Sequence, residues 1–207
     1  MGKMKDTMLQ PIFKGNPITV LVLGICSSLA VTVELKGALV MALSVTVVTG
    51  LSSLICSLLR NTIPNRVRII VQLVVVALMV ILVDQFLKAF EATYSIDKAL
   101  SVYIGLIITN CIVMGRIEAF ALGNKPLPSF LDGLANGAGY GMILIIVAFF
   151  RELLGSGTLF GFKVIPQALY DAGYANNGLV ILPPFALILL GCIIWIHRSI
   201  DKDLQEK

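Results

Sequence analysis

Two cysteines in apolar surroundings are the residues of this chain with chemistry to offer. Cys111 lies in Ile108-Thr109-Asn110-Cys111-Ile112-Val113-Met114-Gly115-Arg116, and Cys26 in Leu23-Gly24-Ile25-Cys26-Ser27-Ser28. Their neighbours are Gly, Ser, Thr and Asn, types that permit close backbone approach and interrupted helices at membrane depth. An unpaired cysteine is usually a small buried hydrophobe. That is the reading for Cys56 and Cys192, which sit among Ile, Ser, Leu and Gly. For Cys26 and Cys111 a second reading stays open beside it, a metal-binding thiol pair. Iron–sulfur clusters are held by four cysteine thiolates, so two are half a set. The simplest completion is a partner chain, identical or related, that brings two more. Half of a [2Fe-2S] cluster and half of a single four-thiolate iron fit two cysteines equally well. No CxxC occurs, no pair has zinc-finger spacing, and the one histidine is His197. A disulfide framework is not expected, because all four cysteines fall in apolar segments.

The elements that must position these thiols are set by composition. The 207 residues are 57% hydrophobic and 14% charged, with a mean hydropathy of +0.94. A soluble domain carries roughly 25% charged residues, so this chain belongs in a bilayer. The polar tail Met1–Lys14 lacks the short apolar core and small-residue site of a cleavable signal peptide. The net charge of +4 lies in loops and reads as topology information, with no nucleic-acid footprint.

Six apolar spans follow, near the ~20 residues a helix needs to cross the hydrocarbon core. They run from about Pro17 to Val33, Ala38 to Leu59, Val67 to Phe90, Leu100 to Leu122, Phe130 to Leu154 and Leu179 to Ile196. Pro64, Pro126, Pro128 and Gly155-Ser156-Gly157 punctuate the connections. In lipid the backbone must pair internally, so the spans are expected to be helices or helix fragments. Lys and Arg number eleven on the side of the two tails and five on the other. The positive-inside rule then puts both termini in the cytoplasm. Three spans plus three spans give halves of opposite orientation, the arithmetic of an inverted repeat. The expected fold is an all-α integral membrane protein of six transmembrane helices in two inverted three-helix repeats. The first helix of each repeat is expected to be broken. Residues 1–207 form a single membrane domain, with repeats over about 17–90 and 100–197.

Long strings of the chain resemble a known family. They are Gly105 to Arg116 with Glu118-Ala119-Phe120-Ala121, Leu23 to Thr32, Arg60-Asn61-Thr62-Ile63-Pro64-Asn65, Pro128 to Gly133 and Phe150 to Gly157. These are similar to the D-subunit family of the bacterial sodium-translocating NADH:quinone reductase. The E subunit of the Rnf complex is a close relative. The likeness covers nearly the whole chain and fades in the tails and around Lys163 to Asn177. It implies a partner, the homologous E subunit in inverted orientation, and an intramembrane [2Fe-2S] cluster or single iron between the two. Cys26 and Cys111 occupy the cofactor- and metal-binding positions. It implies electron relay from the NADH- and FAD-bearing side through the F subunit, then to the covalent FMN of the C subunit, the B subunit and ubiquinone. Sodium is pumped outward across the cell inner membrane. The enzyme activity implied is that of the whole translocase, the chain being non-catalytic alone. An Rnf ferredoxin:NAD oxidoreductase subunit, a stand-alone inverted-repeat secondary transporter and a structural scaffold are the other readings.

Charged residues near the spans are functional hypotheses by default. Asp84 precedes Lys88 by four residues, which reads as an interfacial helix pair. Asp132 opens the fifth span, where a carboxylate suits a helix N-terminus. The resemblance implies an ion path at Asp84 and Asp132. Arg116 with Glu118, and Arg151 with Glu152, are expected to pair with each other or with a partner chain. Gly133, Gly137 and Gly141 form a small-residue packing stripe. No Gly-Lys-Ser/Thr nucleotide loop occurs, and Ser156-Gly157-Thr158 differs from the Ser-Gly-Ala-Thr signature of covalent FMN attachment. The chain is therefore expected to bind no flavin and no NADH by itself.

Overall fold

Two helices at the centre of the fold hide their hydroxyls and show their leucines. In the computed structural model, which describes residues 15–64, 66–94, 105–159, 162–163 and 178–200, these are α2 (Leu35–Leu59) and α5 (Pro126–Gly155). On α2, Ser44, Thr49, Ser52, Ser53 and Ser57 are buried, while Leu43, Val47, Leu51 and Leu58 are exposed. That polarity suits a lipid surround, where outward leucine costs nothing and hidden polar groups pack against other helices. Thr46 and Thr49 hydroxyls donate to the carbonyls of Ala42 and Val45 four residues back.

The glycine stripe sets how closely the two helices approach. A Cβ at Gly133 would lie 2.8 Å from the Thr49 carbonyl oxygen, one at Gly137 2.6 Å from Thr46 Cα, and one at Gly141 2.9 Å from Ala42 Cβ. Backbone therefore meets backbone, and the matched residues descend on α2 as they ascend on α5. The pair is antiparallel.

Around it stand α3 (Arg68–Tyr94) and α6 (Pro183–Ile200). Of the most apolar 18-residue window, 56% is buried in α2 and 61% in α5, against 17% in α3 and 11% in α6. The outer helices thus turn most of their Leu, Ile and Val outward. These four are the helices among the described residues that are long and apolar enough to cross a bilayer. They match the second, third, fifth and sixth expected spans. The fifth begins at Pro126, so Pro126 and Pro128 open a helix and do not punctuate a loop. Proline suits a first turn, whose amides have no carbonyl to bond.

The first and fourth expected spans are interrupted. Residues 15–21 make turns, the chain breaks at 22–24, and α1 (Ile25–Val31) follows. Residues 105–108 make a helical turn, Thr109 and Asn110 break it, and α4 (Cys111–Arg116) follows. A π-helical turn, Ile117–Ala121, extends α4. The expected start at Leu100 lies outside the described residues. One departure from an all-helical chain is a two-residue antiparallel ladder, in which β1 (Thr158–Leu159) pairs with β2 (Phe162–Lys163). A 3-10 turn, Gly178–Ile181, leads into α6.

The ends of α2 and α5 are held reciprocally. Arg60, closing α2, donates to the Asn124 carbonyl just before α5 (2.8 Å). Arg151, in the last turns of α5, donates to the Leu29 carbonyl of α1 (3.1 Å) and to Thr32 Oγ1, just before α2. Each arginine at the end of one central helix grips the turn that starts the other.

Candidate metal centre

Cys26 lies in the first turn of α1, and what brings α1 in at this angle is unusual backbone. Val22 has φ +56° and Gly24 φ +77°. The first is a strained value for a β-branched residue. The second is open to glycine at no steric cost. A Cβ at Gly24 would also lie 2.5 Å from Ile112 Cδ1 and 3.2 Å from Tyr140 Cε2. The start of α1 is thus pressed against the first turn of α4 and against α5.

Cys111 is the first residue of α4. Asn110 caps that helix, its Oδ1 accepting from the Ile112 amide at 3.1 Å. The amide end of the same side chain, Nδ2, donates to Ser27 Oγ at 3.2 Å. The residue before one cysteine is therefore bonded to the residue after the other. Ser27 Oγ also lies 3.0 Å from the Gly24 carbonyl and 2.8 Å from Tyr140 Oη. A hydroxyl has one proton and two lone pairs. With the proton on Gly24 O and one lone pair receiving Asn110, the Tyr140 hydroxyl donates to the other. Ser27, Asn110 and Tyr140 are all buried, and together they leave no bonding position of Ser27 unused.

The thiols themselves are not buried. Cys26 and Cys111 are both exposed on the chain, as is Cys192 on α6, whereas Cys56 is buried. The reading of Cys192 as a buried hydrophobe is corrected by this, since α6 turns that face away from the bundle. Near Cys26 and Cys111 in sequence, Leu21, Val22, Leu106 and Thr109 are exposed too. No group of three or more His, Cys, Asp or Glu occurs together among the described residues. The donor set fits a thiolate-held iron centre in the half-share sense: two exposed thiols, beside which Ser27 and Asn110 are buried and bonded to each other. A four-thiolate site needs two more ligands from outside the chain.

The two acidic residues of the expected ion path are both paired. Asp132 does not cap α5. It lies six residues inside it, 3% exposed, and takes both arms of Arg116, Nε at 3.0 Å and Nη2 at 2.5 Å. Asn136 Nδ2 donates to the same carboxylate at 3.1 Å, while its Oδ1 has no hydrogen-bond partner. Asp84 accepts from Lys88 at 2.6 Å, as the i, i+4 spacing led one to expect. The expected Arg116–Glu118 pairing is replaced. Arg116 belongs to Asp132, and Glu118 on the π-helical turn pairs with Arg68 and Gln72 of α3. Residues two apart on a helix point to different sides, which separates the two partners.

Arg151 and Glu152 do not pair with each other either. Arg151 bonds four acceptors, Leu29 O, Thr32 Oγ1, Val180 O and Ile181 O. Glu152 accepts from the Leu35 amide at 2.7 Å. The residue that sequence reasoning missed is Tyr140. Its signal was a lone polar aromatic inside the glycine stripe, between Gly139 and Gly141.

Interrupted apolar helices around a buried antiparallel pair, with an exposed thiol at each interruption, define a multi-span membrane protein. A family model described as "Rnf-Nqr subunit, membrane protein" matches residues 4–194. The chain belongs to this Rnf-Nqr family. It is 56% identical over 203 residues to the D subunit of the Na(+)-translocating NADH-quinone reductase of Haemophilus influenzae, covering 98% of this chain and 97% of that one. It is 57% identical over 204 residues to the protein of the same name from Photobacterium profundum (99% and 96%). Against that from Aeromonas hydrophila it is 55% identical over 207 residues (100% and 98%).

Proposed function

We propose that the chain is the D subunit of a sodium-translocating NADH:quinone reductase in the bacterial inner membrane. In this reading it carries half of an intramembrane iron centre, with Cys26 and Cys111 as ligands and two further thiolates from the homologous E subunit. The observation that carries the reading is the bond from Asn110 to Ser27. It ties together the first turns of two interrupted helices while both adjacent thiols face out of the chain. Outward thiols are what a ligand shared across an interface requires. When bound, the centre supplies a one-electron relay inside the membrane. The residues of this chain hold the two thiols in a fixed relation through the Asn110–Ser27 bond and the packing of Ile112 and Tyr140 on Gly24, and present them to the partner.

Electrons then arrive from the side of the F subunit and leave toward the flavin of the C subunit, with the B subunit completing the path to ubiquinone. The chain is not catalytic alone and binds neither NADH nor flavin. Residues 17–90 and 100–197 act as two inverted halves of one membrane domain, with both termini cytoplasmic. The reciprocal grips of Arg60 and Arg151 support that symmetry, as do the matching interruptions before Cys26 and Cys111. In a sodium path Asp132 would have to share both its oxygens with Arg116, whereas Asp84 gives Oδ2 to Lys88 and keeps a buried Oδ1 without a hydrogen-bond partner. An Rnf protein shares the family. Relatives at 55–57% identity that are named as D subunits of the reductase favour the reductase.

The test is the purified complex. Its iron signal is expected to vanish in Cys26→Ala and Cys111→Ala and to persist in Cys56→Ala and Cys192→Ala. Full iron and full quinone reduction in the first two variants would remove the relay reading and leave that of a transporter or scaffold.

A further inference from the structure

We propose that Tyr140 is a positioning residue for the thiol pair, acting through Ser27. The inference rests on the proposed thiolate site, and it goes beyond the ligands to what fixes their relation. Tyr140 comes from α5, whose backbone is pressed onto α2 by the glycine stripe, so its ring stands beside a seam where backbone meets backbone. The side chain is fully buried. Its ring backs Gly24, whose Cβ position lies 3.2 Å from Cε2. Its hydroxyl, 2.8 Å from Ser27 Oγ, fills the position that Asn110 and Gly24 leave over.

Neither interrupted helix can hold its thiol without help. α1 is 7 residues and α4 is 6 before the π-helical turn, and isolated helices of this length are not stable. Three separate segments therefore meet at one oxygen: α1 through Ser27, the break before α4 through Asn110, and α5 through Tyr140. Remove the phenol hydroxyl and Ser27 has a free lone pair. The bond from Asn110 is then no longer held in direction, and Cys26 and Cys111 gain freedom relative to each other.

The test uses the complete purified complex with three variants. Tyr140→Phe keeps the ring and removes the hydroxyl. Ser27→Ala removes the shared oxygen. Thr49→Val removes a buried hydroxyl elsewhere on the central pair and serves as the control. Two quantities are read. The first is the midpoint potential of the iron signal at equal iron per complex. The second, on iron-depleted complex lacking Cys56 and Cys192, is the rate at which an apolar two-headed thiol reagent, fluorescent only when both heads have reacted, bridges Cys26 to Cys111. Tyr140→Phe and Ser27→Ala are expected to shift the potential in the same direction. They are expected to lower the bridging rate roughly fivefold, the loosening that loss of one neutral hydrogen bond permits. Thr49→Val is expected to match wild type. Wild-type potential and bridging rate in Tyr140→Phe would overturn the proposal, whatever Ser27→Ala does, because Ser27→Ala also removes the bond from Asn110. Should Tyr140→Phe fail to assemble, wild-type values in Ser27→Ala overturn it instead, since Tyr140 acts through that oxygen. If the wild-type complex holds no iron that depends on Cys26 and Cys111, the proposed function fails. The bridging rate still tells whether Tyr140 positions the thiols.

Discussion

Arg151 and Glu152 are neighbours in sequence and grip opposite sides of one turn. Arg151 takes the Leu29 carbonyl near the end of α1 and the Thr32 hydroxyl just past it, and Glu152 takes the first amide of α2. Glu34, at the cap position of α2, makes no capping bond of its own, so the cap is supplied from another helix. Both residues are nearly fully buried. Glu152→Ala is expected to leave the Leu35 amide unpaired and to lower the stability of the complex by about 1–3 kcal/mol. Glu152→Gln, which keeps an acceptor, is expected to lose less. Thermal unfolding in detergent, followed as the complex comes apart, reads the difference. Equal melting of the two variants would count against the capping role.

The Arg116–Asp132 pair makes a sharper prediction. Its carboxylate is buried and its guanidinium mostly so, with side-chain exposures of 4% and 18%. Breaking such a pair leaves an uncompensated charge and costs about 3–5 kcal/mol. Arg116→Met alone is therefore expected to destabilise more than Arg116→Met combined with Asp132→Leu. A double-mutant cycle on melting temperature measures the coupling. If Asp132 also serves sodium, Asp132→Asn raises the sodium concentration needed for half-maximal quinone reduction. If its work is only structural, that concentration stays the same while the melting temperature falls.

The glycines divide into two groups. A Cβ at Gly137 meets the Thr46 backbone at 2.6 Å, where no rotamer can relieve it, whereas one at Gly191 meets nothing within 4 Å. Gly137→Ala is expected to reduce assembled complex several-fold in membranes, because overpacking against backbone forces the helices apart. Gly191→Ala is expected to leave the amount unchanged. Immunodetection of complex on native gels checks both.

Thiol reactivity separates the four cysteines. In the chain without its partners, Cys26, Cys111 and Cys192 are expected to label with a membrane-permeant maleimide and Cys56 to resist, following their exposure. In the whole complex, Cys26 and Cys111 are expected to be protected. Mass spectrometry of the labelled chain gives the pattern, and full labelling of Cys26 in the intact complex would count against an interface there.

Much of the fold is legible in the sequence because lipid restricts the options. Apolar length gives the four continuous helices within a few residues, and the four-residue glycine spacing gives a close-packed face on α5, while that α2 meets it is seen only in the structure. The interruptions near Cys26 and Cys111 are legible as well, since Gly, Ser, Thr and Asn at mid-span permit both close packing and a broken helix. Partners of buried charges are not legible in the same way. Arg116 and Glu118 are close in sequence, yet the π-helical turn and the approach of α3 and α5 send them to Asp132 and Arg68. Tyr140 is hidden for a similar reason. Its hydroxyl gains meaning only once Ser27 and Asn110, 83 residues apart, share an oxygen.

A stripe with a glycine every fourth residue has a property of its own. Sliding α5 along α2 by one step of four residues, about 6 Å at 1.5 Å per residue, brings a glycine against Thr46 again. The seam alone therefore accepts more than one setting, like a zip that can close one tooth out. The end grips do not repeat. Glu152 meets the Leu35 amide, and Arg60 meets the Asn124 carbonyl, in one setting only. The glycines let the two helices touch, while the pair of end locks decides which tooth engages, and with it the depth at which Tyr140 meets Ser27.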